Sequence, residues 1–207
     1  MIKKAIKKTI QKALRPKGYK VVQIFPRPMT SFIKNRDADK LLVGCEIGVY
    51  QGENAEWMLK TLPIKKLYLI DPYLAYDTYA ESLKHEGKDY DSLSDAEKEM
   101  RERIRKFGSK VEIIKDKAEK KRVVDKLPLL DFVYIDGNHQ YEFVKKDIEI
   151  YYNRIKDGGV IGGDDIDNGI TQEHDEVMKA VLEFVQKNNL KLFVGGGDWW
   201  VVKGLSG

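Results

Sequence analysis

Leu41-Leu42-Val43-Gly44-Cys45-Glu46-Ile47-Gly48-Val49-Tyr50-Gln51-Gly52 is the stretch on which the fold turns. Leu41 to Ile47 is a short, mostly apolar run bounded by glycine, the pattern of a strand buried on both faces. Gly48 and Gly52 then permit a tight turn and a close approach of backbone to a ligand. A helix is expected over residues 53–62, so the first unit reads strand, glycine turn, helix.

The same alternation repeats downstream. Strands are expected at residues 66–70, 111–115, 131–135 and 159–163, and helices at 118–126, 141–155 and 173–188. Residues 191–194 and 199–203 flank Gly195-Gly196-Gly197, which is hairpin spacing. Short apolar strands alternating with helices make a parallel sheet covered on both faces. The expected fold class is therefore α/β: a three-layer, doubly wound, seven-stranded sheet, mostly parallel, with an antiparallel C-terminal strand. Residues 40–207 are assigned to this domain, and residues 1–39 to a basic amphipathic helix and extension. The segment 73–107 is the longest departure. It holds Tyr73, Tyr76, Tyr79, His85 and Tyr90 and reads either as a substrate lid or as a surface excursion. Within it, Ser94-Asp95-Ala96-Glu97 fits a capping box, and Glu99 with Arg103 and Glu102 with Lys106 are i,i+4 pairs.

Ligands of such sheets bind beyond the carboxyl ends of the strands. Asp71 follows the second strand, where an acid can accept hydrogen bonds from both hydroxyls of a ribose. The glycine turn is not GxGxxG and no GK[ST] follows it, so a phosphate cradle is not supported. Turn and acid together, in this order, point to a nucleoside ligand. Asp136 ends the fourth strand, and Asp164 and Asp165 end the fifth. Neighbouring strands lie about 5 Å apart, so three carboxylates would converge at one edge. Like charges that close raise each other's pKa unless a cation neutralises them. An all-oxygen set without cysteine suits Mg2+ or Mn2+ rather than zinc. The bland alternative is that Asp164 and Asp165 cap the loop and the next helix.

Over roughly residues 40–203 the chain resembles class I S-adenosylmethionine-dependent methyltransferases. Glu46, Gly48 and Gly52, in Glu-x-Gly-x-x-x-Gly, match the family's first motif, and Asp71 matches its ribose-binding acid. The resemblance implies a Rossmann-like methyltransferase fold and S-adenosylmethionine as cofactor. It implies cofactor contacts from Glu46, Gly48, Val49, Tyr50, Gly52, Asp71 and Asp136, and adenine contacts from Asp116 and Lys117 in the loop after the third strand. The stretches 131–141 and 156–165 resemble the small sugar and natural-product O-methyltransferases, which typically bind a divalent metal. That second resemblance implies Asp136, Asp164 and Asp165 as metal ligands, with His139, three residues after Asp136, as general base beside Asp136. The implied reaction is metal-assisted methylation of a hydroxyl on a sugar or other small polyhydroxy acceptor, such as a glycan or glycolipid precursor.

Composition narrows the classes. The 207 residues carry a net charge of +4, but residues 1–20 hold eight Lys/Arg and no acid, leaving 29 basic and 33 acidic residues beyond. An acidic body disfavours nucleic acid as partner. Ile2, Ile6, Ile10 and Leu14 form one stripe amid the lysines. That helix reads as a peripheral membrane contact through residues 1–18, as a docking surface that favours homo-oligomers, or as packing on its own domain. One cysteine, Cys45, excludes a disulfide framework, and no run spans a membrane or reads as a secretion signal. A cytoplasmic protein, at most at the membrane periphery, is expected. Two competing functions are a metal-independent methyltransferase acting on RNA or nitrogen, and a non-catalytic nucleoside-binding partner.

Overall fold

A computed structural model of the chain describes residues 27–74, 90–166 and 176–207, the side chains of 90–92 excepted. The basic helix expected over residues 1–18 lies outside the described residues. So do Tyr76, Tyr79, His85 and His174.

Seven strands form one sheet: β1 (Leu42–Ile47), β2 (Ile64–Ile70), β3 (Val111–Ile114), β4 (Leu130–Ile135), β5 (Ile155–Gly163), β6 (Leu190–Gly195) and β7 (Asp198–Ser206). Their order is β3-β2-β1-β4-β5-β7-β6. The first five pair in parallel, and β7 runs antiparallel to both β5 and β6. The helices are α1 (Pro28–Arg36), α2 (Glu53–Thr61), α3 (Tyr90–Ile104), α4 (Lys121–Val124), α5 (Tyr141–Tyr152) and α6 (Glu176–Lys187).

Alternation along each strand splits the core into two layers. Val133 and Ile135 of β4, with Cys45 and Ile161, pack on one face under α5 and α6. Phe132 and Tyr134, with Leu67 and Leu69, face α1, α2 and α3 on the other. Both faces are thus covered, as a mostly parallel sheet requires.

The expected elements recur with four corrections. α1 falls within the segment assigned to the extension. Pro28 opens this helix at its first position, where proline's missing N–H costs nothing. The helix expected at 118–126 is the single turn α4, because the backbone turns through Lys117 and Lys120 before it. β5 begins at Ile155 rather than at Gly159. The apolar Ile155 is 1% exposed and pairs with Leu130, so Gly158 and Gly159 lie inside a strand. Ser94 caps nothing, since α3 is already under way from Tyr90. Of the two pairs expected there, Glu99 meets Arg103 at 2.9 Å. Glu102 pairs with Arg105, and Lys106 turns to Glu56 on α2. Ala96, Met100 and Ile104 are buried on α3, so that half of the segment 73–107 is a packed wall.

Candidate active site

The parallel ladder places the ends of β2, β1, β4 and β5 side by side, with Ile47 opposite Ile70 and Ile135, and Ile135 opposite Gly163. Everything just beyond these residues shares one edge. Two centres stand on it.

The first is a cleft of about 820 Å³, partly open to solvent, above β1 and β2. Gly48 sits at φ +77, and a Cβ there would lie 2.0 Å from the carbonyl oxygen of Asp136, so glycine is required both for the turn and for the close approach. Asp71 is wired into this loop. One carboxylate oxygen accepts from the N–H groups of Val49 (2.8 Å) and Tyr50 (2.9 Å), and the other from the Tyr73 N–H (2.8 Å). The Tyr73 hydroxyl donates to the Tyr50 carbonyl at 2.9 Å. Both tyrosines have left-handed backbone, φ +47 and +48, the kind of local strain that concentrates at binding sites. Glu46 lies beneath, 1% exposed. One of its oxygens accepts from Asn54 at 2.9 Å, and the other is buried without a partner among the described residues. Burial above all, with Asp136 and Asp71 nearby, pushes its carboxyl up to about 8.

The resemblance implies adenine contacts from Asp116 and Lys117, and neither of them lines the cleft. Asp116 accepts from Arg122 (2.6 Å) and from the Lys117 N–H (2.9 Å). Ala118, Glu119, Phe143, Lys146 and Asp147 line the cleft on that side instead. Sequence reading missed the last three. The signal available was their i, i+3, i+4 spacing on one helix directly after the Asp136 loop.

The second centre lies beyond β4 and β5. Single ligand atoms of Asp136, His139 and Asp165 all lie within 4.8 Å of one another. His139 Nδ1 is 3.0 Å from Asp165, and Nε2 is 3.4 Å from Asp136. Burial opposes the imidazolium, but Asp136, Asp165 and Asp164 outweigh it and raise the His139 pKa above its ordinary value. Burial also pushes Asp165 up to about 6, with Asp164 and Asp136 adding to the rise. Asp164 joins the same edge but turns to Arg27, with which it forms an ion pair.

Arg27 is the residue that sequence reading missed most completely, because it lies between Pro26 and Pro28 in what reads as a turn. Its guanidinium also donates to the Tyr134 hydroxyl (2.8 Å), and lies 3.4 Å from Asp198 and 3.9 Å from Asp136. Asp198, fully buried at the start of β7, accepts from Tyr134 (2.7 Å) and from the Met29 N–H (3.0 Å). It thereby satisfies one of the free N–H groups of α1 and fixes Arg27 over the site.

The donors suit a hard divalent cation: carboxylate oxygens with one imidazole nearby and no thiolate. Four carboxylates face one guanidinium and one imidazole here, an excess of negative charge that a cation would offset.

A family model described as a methyltransferase domain matches residues 45–166, more than half of the chain. The chain belongs to the class I S-adenosylmethionine-dependent methyltransferases. The match starts at Cys45 in β1 and closes just past Asp165, so this methyltransferase domain contains both centres. A relative in Acanthamoeba polyphaga mimivirus, an uncharacterized protein, is 29% identical over 147 residues. The match covers 68% of this chain and 58% of that protein, so the chain spans less than two thirds of its relative's length.

Solved structures share the fold. A TDP-rhamnose 3'-O-methyltransferase of calicheamicin biosynthesis superposes with a TM-score of 0.55 at 15% identity, covering 86% of this chain and 78% of that one. The mycinamycin-pathway methyltransferase MycE, solved with Mg and SAH, gives 0.57 at 13% identity over 95% and 53%. An rRNA methylase from Streptococcus thermophilus gives 0.57 at 14% over 90% and 100%. At such identities the likeness is one of fold, and the fold serves both sugar and RNA acceptors. No helix among the described residues is long and apolar enough to cross a membrane.

Proposed function

We propose that this methyltransferase transfers the methyl group of S-adenosylmethionine to a hydroxyl oxygen of a small polyhydroxy acceptor, with a divalent cation bound beside the cleft. The observation that carries the reading is the convergence of Asp136, His139 and Asp165 within 4.8 Å at the strand end next to Gly48. Gly48, Tyr50 and Asp71 belong to the nucleoside, and Asp136, shared by cleft and acidic centre, stands where the two substrates meet.

A methyl donor with a sulfonium leaving group is already reactive, so the protein's work lies in the acceptor. Asp136 and Asp165 would hold the cation through carboxylate oxygens, a small set that leaves positions for water and acceptor. Bound there, it would lower the pKa of the acceptor hydroxyl, orient its oxygen and offset the carboxylate charge that raises the His139 pKa. The 3.0 Å contact of Nδ1 with Asp165 orients the ring, and Nε2, 3.4 Å from Asp136, would take the acceptor proton once the cation engages that carboxylate. Arg27 offsets the charge of Asp164 at the site and of the buried Asp198 beneath it.

The test is methyl transfer to a panel of sugars with Mg2+ or Mn2+ and after chelation. Product with sugars that vanishes on chelation supports the reading. A second reading, metal-independent transfer, is favoured by Arg27, which already supplies a cation to the acidic centre. Full activity after exhaustive chelation would select it.

A further inference from the structure

We propose that Asp147, on the inner face of α5, reads the adenine base of the cofactor by accepting a hydrogen bond from its exocyclic amino group. The inference rests on the S-adenosylmethionine reading above and adds the residue that gives it base specificity.

The cleft runs from Gly48 and Asp71 past the end of β2 to Ala118 and then to α5. Ile70, Ala118 and Phe143 offer apolar walls of the kind that hold the faces of a flat base. The base also has a polar edge, and that edge needs partners once it leaves water. The loop after β3 brings the half-buried Glu119 to the cleft wall, whereas Asp116 is committed to Arg122 and to the Lys117 N–H and does not line the cleft.

Asp147 does line it, and is 8% exposed. Among the described residues its carboxyl makes no hydrogen bond and no ion pair. A largely desolvated carboxyl on a cleft wall gains from a ligand donor that completes it. It faces Glu119 and Lys146, both on the cleft wall, and Cys45 and Tyr151 lie behind it. Burial, and then Glu119, push it up to about 7, so both protonation states are accessible near neutrality. Either state accepts from an amino N–H, and the protonated state can also donate to the adjacent ring nitrogen. An asparagine side chain offers the same acceptor and donor; leucine, of similar size, offers neither.

The test is calorimetry on the full chain with S-adenosylhomocysteine and with its purine analogue that lacks the 6-amino group. The wild type should prefer the amino compound by about tenfold, the size of one buried hydrogen bond. Asp147→Asn should keep most of that preference. Asp147→Leu should bring the ratio to about one while its melting temperature holds or rises, because an unpaired buried acid is gone. Asp147→Ala serves as the second variant if leucine does not fold. A tenfold preference surviving in Asp147→Leu or Asp147→Ala overturns the assignment, as does a wild type indifferent to the amino group. If the wild type binds neither compound, the cofactor reading itself fails and takes this inference with it.

Discussion

At the ends of β1 and β2 the molecule presents mainly backbone: a glycine turn, two left-handed tyrosines and N–H groups gathered by Asp71. At the ends of β4 and β5 it presents charge: Asp136, Asp164, Asp165 and His139, with Arg27 brought in from the start of α1. The first region holds a shape and the second holds a field. A shape made of neighbouring residues survives the loss of one charge. A field made of converging side chains changes with each one removed.

The largest expected effect tests whether the first region hides a charge of its own. Glu46 is held up to about 8 by burial, with Asp136 and Asp71 raising it and Arg27 opposing. A carboxyl whose pKa rises on folding keeps its proton in the folded chain where the unfolded chain has released it. Its contribution to stability is therefore full below about pH 4.5 and is lost as pH climbs to about 8. Glu46→Gln keeps the neutral shape and should flatten the stability curve in that window, by on the order of a few kcal/mol in urea denaturation. An unchanged slope would show Glu46 ionised in the fold.

Next in size, Asp165→Asn should weaken Mn2+ binding by roughly a hundredfold, since it removes a ligand and the partner of His139 Nδ1. S-adenosylhomocysteine binding should barely move. Equal loss of both would mean the two regions are one site. Asp71→Ala should do the reverse: it releases three N–H groups and should weaken S-adenosylhomocysteine by about tenfold, leaving Mn2+ binding intact. The smallest effect belongs to Arg27→Met. Removing one resident cation should strengthen Mn2+ binding several-fold, read by calorimetry at low salt and shrinking as salt rises. Weaker Mn2+ binding in this variant would make Arg27 a support of the metal centre rather than its rival.

The same contrast explains what could be read in advance. The glycine turn, Asp71 and the alternation of strands are local patterns, and the sheet they imply is the one observed. Asp136 and Asp165 were legible because two parallel neighbours end together, a consequence of topology alone. Arg27 was not, because its partners Asp164 and Asp198 lie 137 and 171 residues away and no local period connects them. Asp147 was hidden for another reason. It sits among apolar positions on a helix whose burial depends on how α5 packs over the sheet. Asp116 lies off the cleft because a polar residue in that loop need not point inward, and here the neighbouring Lys117 N–H and the Arg122 side chain satisfy it.

The most direct measurement is a calorimetric titration of the full chain with S-adenosylhomocysteine in the presence of Mn2+. The account predicts one saturable nucleoside site that is weakened by Asp71→Ala and insensitive to Asp165→Asn. The absence of any saturable binding by the wild-type chain would contradict it.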